Sequence, residues 1–223
     1  MTSRTALVTG AARGIGAAIA GALQQQGWQL LTPTRDVLDL AEPQSVGTYL
    51  AGMADQPIDG LVINAGINNP APLGTLTATD WARIQQVNLT SAFTLISALA
   101  PAMADRGFGR IVGISSAYAL RARAGRAAYS ASKSALESLI RTTAVEFADR
   151  GVIANCVAPG FVDTELTRVN NPPEVVDKLL ERVPVGRLAS PQEIAQVVTF
   201  LMADANGYLT GQVITVDGGF ACT

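Results

Sequence analysis

The sequence predicts an α/β fold: a doubly wound parallel sheet in three layers, with helices on both faces. Short apolar runs rich in β-branched residues alternate with longer segments of helical period, the order that a parallel sheet and its crossover helices produce. The 223 residues, 48% hydrophobic and 15% charged, are enough to bury one large core. No internal repeat, low-complexity tract or linker divides them, so residues 1–223 read as a single domain.

The first strand is expected at 4–9, around Ala6, Leu7 and Val8, and a glycine-rich turn leads from it into a helix at 14–26. Strands follow near 28–32, 58–63, 109–115, 152–157 and 212–216, with helices near 43–54, 79–105, 129–149 and 191–203. One interval breaks this rhythm. Between the strand ending near Thr32 and the extended-looking Val37-Leu38-Asp39-Leu40 lie about four residues, whereas a parallel crossover needs at least about 10–12. The region between the second and third strands is therefore shortened, and the sheet is expected to lose its outer strand or keep a vestige, with Pro33 tolerated at a strand end. The stretch 161–189, with Asn170-Asn171-Pro172-Pro173 and an apolar piece at 175–180, reads as a long functional loop with a short helix, a candidate substrate lid. The uncharged run from Ile84 to Ala104 contains Gln85, Gln86, Asn88, Thr90, Ser91, Ser97 and Pro101, and reads as a buried helix, too polar for a membrane span.

A net charge of -2 gives no electrostatic case for nucleic acid or for an anionic membrane, which leaves a small molecule as the expected partner. Two cysteines, Cys156 and Cys222, and no histidine supply neither a Cys/His zinc site nor a disulfide framework, so no metal site is expected. The apolar run at Ala6 begins with no charged leader, long apolar segment or cleavage site before it, which reads as cytoplasmic.

Thr9-Gly10-Ala11-Ala12-Arg13-Gly14-Ile15-Gly16 follows the first strand and opens the first helix. Glycines there permit a tight turn, let a pyrophosphate approach the backbone, and aim free N–H groups and the helix dipole at the anion. The spacing is G-x-x-x-G-x-G, and no Lys follows to make a P-loop. A plain strand-to-helix turn using glycine for positive φ is the competing reading. Its place at the first βα junction favours a dinucleotide and a Rossmann-like sheet.

With these pieces the chain resembles the short-chain dehydrogenase/reductase family, in its single-domain, 3-oxoacyl-carrier-protein-reductase-like branch. The likeness rests on the glycine turn, Asn64-Ala65-Gly66, Asn88, Ser115-Ser116, Tyr129-Ser130-Ala131-Ser132-Lys133, Pro159-Gly160 and Val216-Asp217-Gly218-Gly219, in family order across nearly the whole chain. The extended branch of that family would want a glycine at the place of Arg13.

Tyr129 and Lys133 stand four apart on an expected helix, so both side chains share a face. A phenol with a pKa of about 10 is a poor base at neutral pH, and a nearby ammonium favours phenolate. The resemblance implies that Tyr129 is the proton donor and acceptor and that Lys133 also holds the cofactor ribose. It also implies that Ser116, thirteen residues before Tyr129, hydrogen-bonds the substrate oxygen, where charge develops during reduction. A one-residue slip would put Ser115 in that place. Asn88 matches the residue that steadies a water chain for proton exchange. By the same resemblance Gly10, Arg13, Gly14, Ile15 and Gly16 hold the pyrophosphate turn, Asn64, Ala65 and Gly66 line the adenosine side, and Asp39 and Leu40 reach the adenine edge. Pro159, Gly160 and Thr164 close over nicotinamide, with a Thr hydroxyl on the carboxamide.

NAD-preferring relatives carry an acidic residue at the end of the second strand, where this chain has Thr34 followed by Arg35. Arg35 and Arg13 are suited to pair with a 2′-phosphate, so NADP is the expected cofactor, with NAD as the alternative and Asp36 as a carboxylate able to neutralise Arg35. The expected activity is hydride transfer between nicotinamide and a carbonyl or secondary alcohol, either a 3-oxoacyl thioester or another small ketone, sugar, polyol or alcohol. A non-catalytic dinucleotide-sensing protein of the same fold would lack Tyr129 and Lys133. Arg121, Arg123 and Arg126 border the expected site and read as a solvated face or subunit contact, or as attraction for an acidic substrate or carrier protein. The family resemblance implies a homo-oligomer, commonly a tetramer.

Overall fold

The computed structural model describes residues 4–223. Its six strands are β1 (Thr5–Val8), β2 (Gln29–Leu31), β3 (Gly60–Ile63), β4 (Gly109–Ile114), β5 (Val152–Pro159) and β6 (Val213–Val216), all parallel, in the order β2-β1-β3-β4-β5-β6. The central strands are apolar at successive positions because both faces are covered. Leu7, Leu61 and Ile111 point into one core, while Ala6, Val8, Val62 and Val112 point into the other.

The first core lies under α2 (Pro43–Ala51), α4 (Ser91–Asp105) and α6 (Ala127–Phe147); the second lies under α1 (Gly14–Gln25) and α9 (Pro191–Met202). Ile19 and Leu23, one turn apart on α1, are fully buried, which contributes about 1.5–3 kcal/mol for each side chain. Ser190 and Glu193 form a reciprocal capping box at the start of α9, and Pro191 occupies its first turn.

The chain runs outward from β1 to β2 and then crosses back to β3 on the other side of β1. That reversal opens a crevice beyond the C-terminal ends of β1 and β3. Among the described residues the sheet ends at β2, without the further outer strand. The segment read as extended is a pair of turns: Leu38 N–H donates to the Thr34 carbonyl at 2.9 Å, and Glu42 N–H to the Asp39 carbonyl at 3.1 Å. Leu38 and Leu40 alternate because both side chains plug into the core beside α2, and α2 itself provides the crossover to β3.

The helix expected over 79–105 consists of α3 (Ala78–Gln85), a π-helical turn at Gln86–Thr90, and α4. By length and composition the whole segment is apolar enough to cross a membrane, so its polar interruptions do not exclude a span. Its inner face, with Leu95, Ala100 and Met103 fully buried, packs into the first core. Trp28 is buried in the second core, whereas Trp81 on α3 is 41% exposed. The segment 161–189 holds two helices rather than one, α7 (Glu165–Asn170) and α8 (Pro173–Leu180), and is tied down where Val162 bridges Ala189. Short α5 (Ala117–Leu120), which the apolar pattern did not mark, follows β4 directly.

Candidate active site

The glycine turn is built around Thr9 and Asn64. The Thr9 hydroxyl accepts from the backbone N–H groups of Asn64 and Ala65 at 3.0 and 3.1 Å, and the Asn64 side-chain amide donates to the carbonyls of Thr9 and Gly10 at 3.0 and 3.1 Å. Gly10 and Gly14 adopt φ of 66° and 55°, and a Cβ on Gly16 would lie 2.2 Å from the Gly10 carbonyl oxygen. At the start of α1 Arg13 makes no side-chain capping bond and the first turn carries no acid. The positive end of the helix therefore faces the crevice open to an anion.

A cavity of about 500 Å³ extends from Arg35 and Leu40, past the glycine turn, to Ser116, Tyr129 and Lys133, and is closed by Pro159, Gly160 and Thr164. Every residue nominated for catalysis or cofactor binding lines it except Asn88, while Arg121, Arg123 and Arg126 lie outside its lining. That amide sits one layer behind, fully buried in the π-helical turn. Its oxygen accepts from Ile67 N–H at 2.8 Å, and its nitrogen donates to the Ile67 carbonyl and to the Ser132 hydroxyl, each at 3.0 Å. Asn88 thus clamps the chain leaving β3 to α6, the helix that carries Tyr129 and Lys133.

At the catalytic end the two serines separate. Ser115 donates to the Glu137 carboxylate at 2.6 Å, while Ser116 is hydrogen-bonded with Tyr129 and accepts from Tyr118 N–H at 3.2 Å. Burial pushes the Tyr129 phenol above its usual range, against the opposing effects of the Ser116 hydrogen bond and the charge of Arg126. The Lys133 ammonium donates to the Ile114 carbonyl at 2.7 Å and lies 5.9 Å from the Tyr129 ring centroid; the Ser116 hydrogen bond first, and then the charge of Arg126, oppose the upward push of burial on the phenol.

Burial also pulls Lys133 down from 10.5 to about 8. Between those values the unfolded chain binds the extra proton, so the contribution of Lys133 to stability rises with pH. Cys156, pushed by burial from 9.0 up to about 12, opposes this above pH 9. In urea titrations without cofactor, the stability difference between the parent chain and Lys133→Met is expected to move in favour of the parent as pH rises from about 8. A difference that stays flat would contradict this placement of the ammonium.

At the far end Arg13 pairs with Glu165 of α7, and Arg35 pairs with Asp39 at 3.1 Å, so Asp39 rather than Asp36 neutralises Arg35. The Asp39 carboxylate also accepts from Ala41 N–H at 2.9 Å, the main reason its pKa is lowered. It is a loop-building group as much as a surface for a base. Arg83 of α3 also lines this end of the cavity and is the cation that sequence reasoning missed. Its signal was the i, i+4 relation to Val87, which lines the same wall. Thr164 spends its hydroxyl on capping α7, accepting from Thr167 N–H at 3.3 Å. The arginine loop is no solvated face: Arg126 is 4% exposed, and Arg121 donates to the Phe220 carbonyl at 2.6 Å.

The family model described as enoyl-(acyl carrier protein) reductase matches residues 34–221. The acetoacetyl-CoA reductase of Shinella zoogloeoides is 36% identical over 236 residues, covering 97% of this chain and 98% of the relative. Among solved structures, a 3-oxoacyl (acyl-carrier-protein) reductase from Agrobacterium tumefaciens with NADP bound superposes with a TM-score of 0.87 at 34% identity, covering 96% of this chain and 93% of the other. A gluconate 5-dehydrogenase from Burkholderia cenocepacia, in complex with NADP and tartrate, superposes with a TM-score of 0.90 at 31% identity, covering 100% and 97%. With matches of this extent and a cavity that joins the glycine turn to Ser116, Tyr129 and Lys133, the chain belongs to the short-chain dehydrogenase/reductase family.

Proposed function

We propose that this chain is an NADP(H)-dependent oxidoreductase that reduces the ketone of a 3-oxoacyl compound to a secondary alcohol. The observation that carries the reading is one continuous cavity with an anion-receptive glycine turn along it and a Ser–Tyr pair beside a buried ammonium at its end. Bare backbone at Gly10, Gly14 and Gly16 leaves room for a pyrophosphate, and Pro159, Gly160 and Thr164 wall the place of the nicotinamide, which supplies or receives the hydride when bound. Ser116 donates to the carbonyl oxygen, where negative charge grows, and Tyr129 delivers the proton to that oxygen. Lys133 holds a ribose hydroxyl while remaining anchored to Ile114. Asn88 acts through Ile67 and Ser132, keeping α6 in register with the chain leaving β3.

The acyl preference is supported by the reductases named above, whereas the gluconate 5-dehydrogenase supports a second reading in which the substrate is a sugar acid or related polyol. The assay that separates them follows NADPH absorbance with 3-oxoacyl thioesters, ketoacids, sugars and simple ketones. Fastest turnover with 3-oxoacyl compounds upholds the first reading, and preference for sugar acids transfers the reading to the second. The same reading makes the protein a cytoplasmic homotetramer. Its support is the family resemblance, together with Phe93 of α4 and Val145 of α6 turned outward on the helices that flank the site.

Cofactor choice gives a direct expectation. Arg13 and Arg35 are each held by one carboxylate, and a 2′-phosphate is a better partner for either than a ribose hydroxyl. NADPH should bind roughly 10–100-fold more tightly than NADH, the worth of one or two charge-assisted hydrogen bonds, and Arg35→Ala should remove much of that margin. Equal dissociation constants for the two cofactors, or a preference untouched by Arg35→Ala, would refute the assignment.

A further inference from the structure

Arg126, whose charge acts on the Tyr129 phenol, is a buried guanidinium to which the reading above gives no contact with the substrate. Arg126 stands immediately before α6, one turn ahead of Tyr129, and is 4% exposed. Its Nη1 is buried and has no hydrogen-bond partner. The guanidinium rests 5.8 Å from the Tyr118 ring centroid, and Arg123 lies 5.7 Å from the same ring. Among the described residues no carboxylate pairs with Arg121, Arg123 or Arg126. Burying a cation is costly unless an acceptor or counter-charge compensates it. The other two guanidiniums have neutral acceptors: Phe220 and Thr223 for Arg121, and Tyr118 and Asn171 for Arg123. Arg126 alone of the three keeps a buried N–H free.

Two more buried polar atoms are unpaired, the Ser130 hydroxyl one turn further along α6 and the Asn68 side-chain oxygen. The loop holding Asn68 is fastened to the arginine loop where Ala71 N–H donates to the Gly125 carbonyl at 3.1 Å. Asn171, just after α7, accepts from Arg123 at 3.3 Å. An unpaired donor on a buried cation whose charge acts on Tyr129 calls for an acceptor at the reacting end of the cavity, and an oxygen of the substrate is suited to that place.

We propose that Arg126 determines substrate choice by donating to the acyl oxygen, of a carboxylate or of a thioester, that lies near the reacting ketone. The proposal rests on the reductase reading and adds to it the part of the substrate that is recognised. A purely structural Arg126, held by Tyr118, would affect every substrate alike. A selecting Arg126 discriminates between those with and without the acyl oxygen.

The test compares acetoacetate, acetoacetyl-CoA and 2-butanone as substrates with NADPH, in the parent chain, Arg126→Gln and Arg126→Leu. In Arg126→Leu the ratio of kcat/KM for either acyl compound to that for 2-butanone should fall by roughly 10–100-fold, the worth of a hydrogen bond from a charged donor. Arg126→Gln, which keeps a neutral donor, should restore the ratio for the thioester more than for the acid if the charge selects a carboxylate, and should restore both alike if the acceptor is all that matters. Calorimetric titration of the NADP⁺-loaded chain with acetoacetate should show affinity falling by a similar factor, with NADPH affinity unaltered. An equal fall for all three substrates, no change in the ratio, or acetoacetate affinity insensitive to both substitutions would overturn the proposal. If Arg126→Leu does not fold, Arg126→Met, which also lacks a donor, carries the same comparison. If the parent chain turns over no carbonyl compound, the reductase reading fails by itself, and the calorimetric measurement still decides the role of Arg126.

Discussion

Tyr129→Phe is expected to lower turnover by roughly 10²–10⁴-fold, the usual loss when a general acid is removed, while NADPH binds as before. The substitution deletes one oxygen and leaves the ring in place, so packing at the end of the cavity is preserved. Ser116 keeps its bond from Tyr118 N–H and can still polarise a carbonyl oxygen, but no group remains to hand that oxygen its proton. Because burial holds the phenol above its ordinary range, Tyr129 carries its proton at neutral pH, which suits reduction. The reverse oxidation needs the phenolate, so its rate should climb with pH while reduction stays level through neutrality. Stopped-flow absorbance of NADPH and a fluorescence titration of cofactor binding read the two halves of this expectation. Turnover within a few-fold of the parent chain would remove Tyr129 from the proton path.

The second large effect is expected from Gly16→Ala. Gly16 is in the first turn of α1 with ordinary helical φ, so alanine meets no backbone strain there and the whole effect is steric. Its Cβ would lie 2.2 Å from the Gly10 carbonyl oxygen and 2.4 Å from the Asn64 amide nitrogen. To admit it, the turn must release Asn64 and open, which disperses the N–H groups gathered for the pyrophosphate. NADPH affinity should drop on the order of 10²-fold through loss of one or two charge-assisted bonds. Overpacking should also cost about 1–3 kcal/mol, or roughly 2–4 °C of Tm per kcal/mol in a chain of this size. Gly21→Ala is the matched control: it lies on the same helix, its Cβ meets nothing within 4 Å, and it should stabilise by about 0.5–1 kcal/mol. Unimpaired NADPH binding in Gly16→Ala would show that the turn is not the cofactor cradle.

Much of the architecture was legible before any coordinates. Each strand was found within a few residues because two apolar cores, one on each face, leave a continuous apolar run in the chain. The glycine turn and the Tyr129–Lys133 pair were legible for a related reason, since their chemistry depends on fixed short offsets along one element. The apparent strand at Val37–Leu40 shows where that kind of reading stops. Alternation of Leu38 and Leu40 looks the same whether a strand pairs or a turn drops two side chains into a core. Likewise Asn88 reads as an ordinary helical amide until the π-helical turn aims it at Ile67, 21 residues back in the chain.

The sequence by itself determined the order of elements, the parallel doubly wound sheet, the shortened region after its second strand and most of the side chains that line the cavity. All of these follow from local periodicity, from turn residues, and from motif spacing. Only the tertiary structure separates the surroundings of Ser115 and Ser116: the Glu137 carboxylate of α6 captures the Ser115 hydroxyl, and Ser116 is left bonded with Tyr129. It also decided which carboxylates hold Arg13 and Arg35, and that Arg126 is buried without a partner for Nη1. Arg13 and Glu165 are 152 residues apart, and no local pattern encodes such a pairing. Electrostatic partners and pKa shifts depend on distance and burial in the folded chain, and both exist only once the sheet has brought separate loops to one edge.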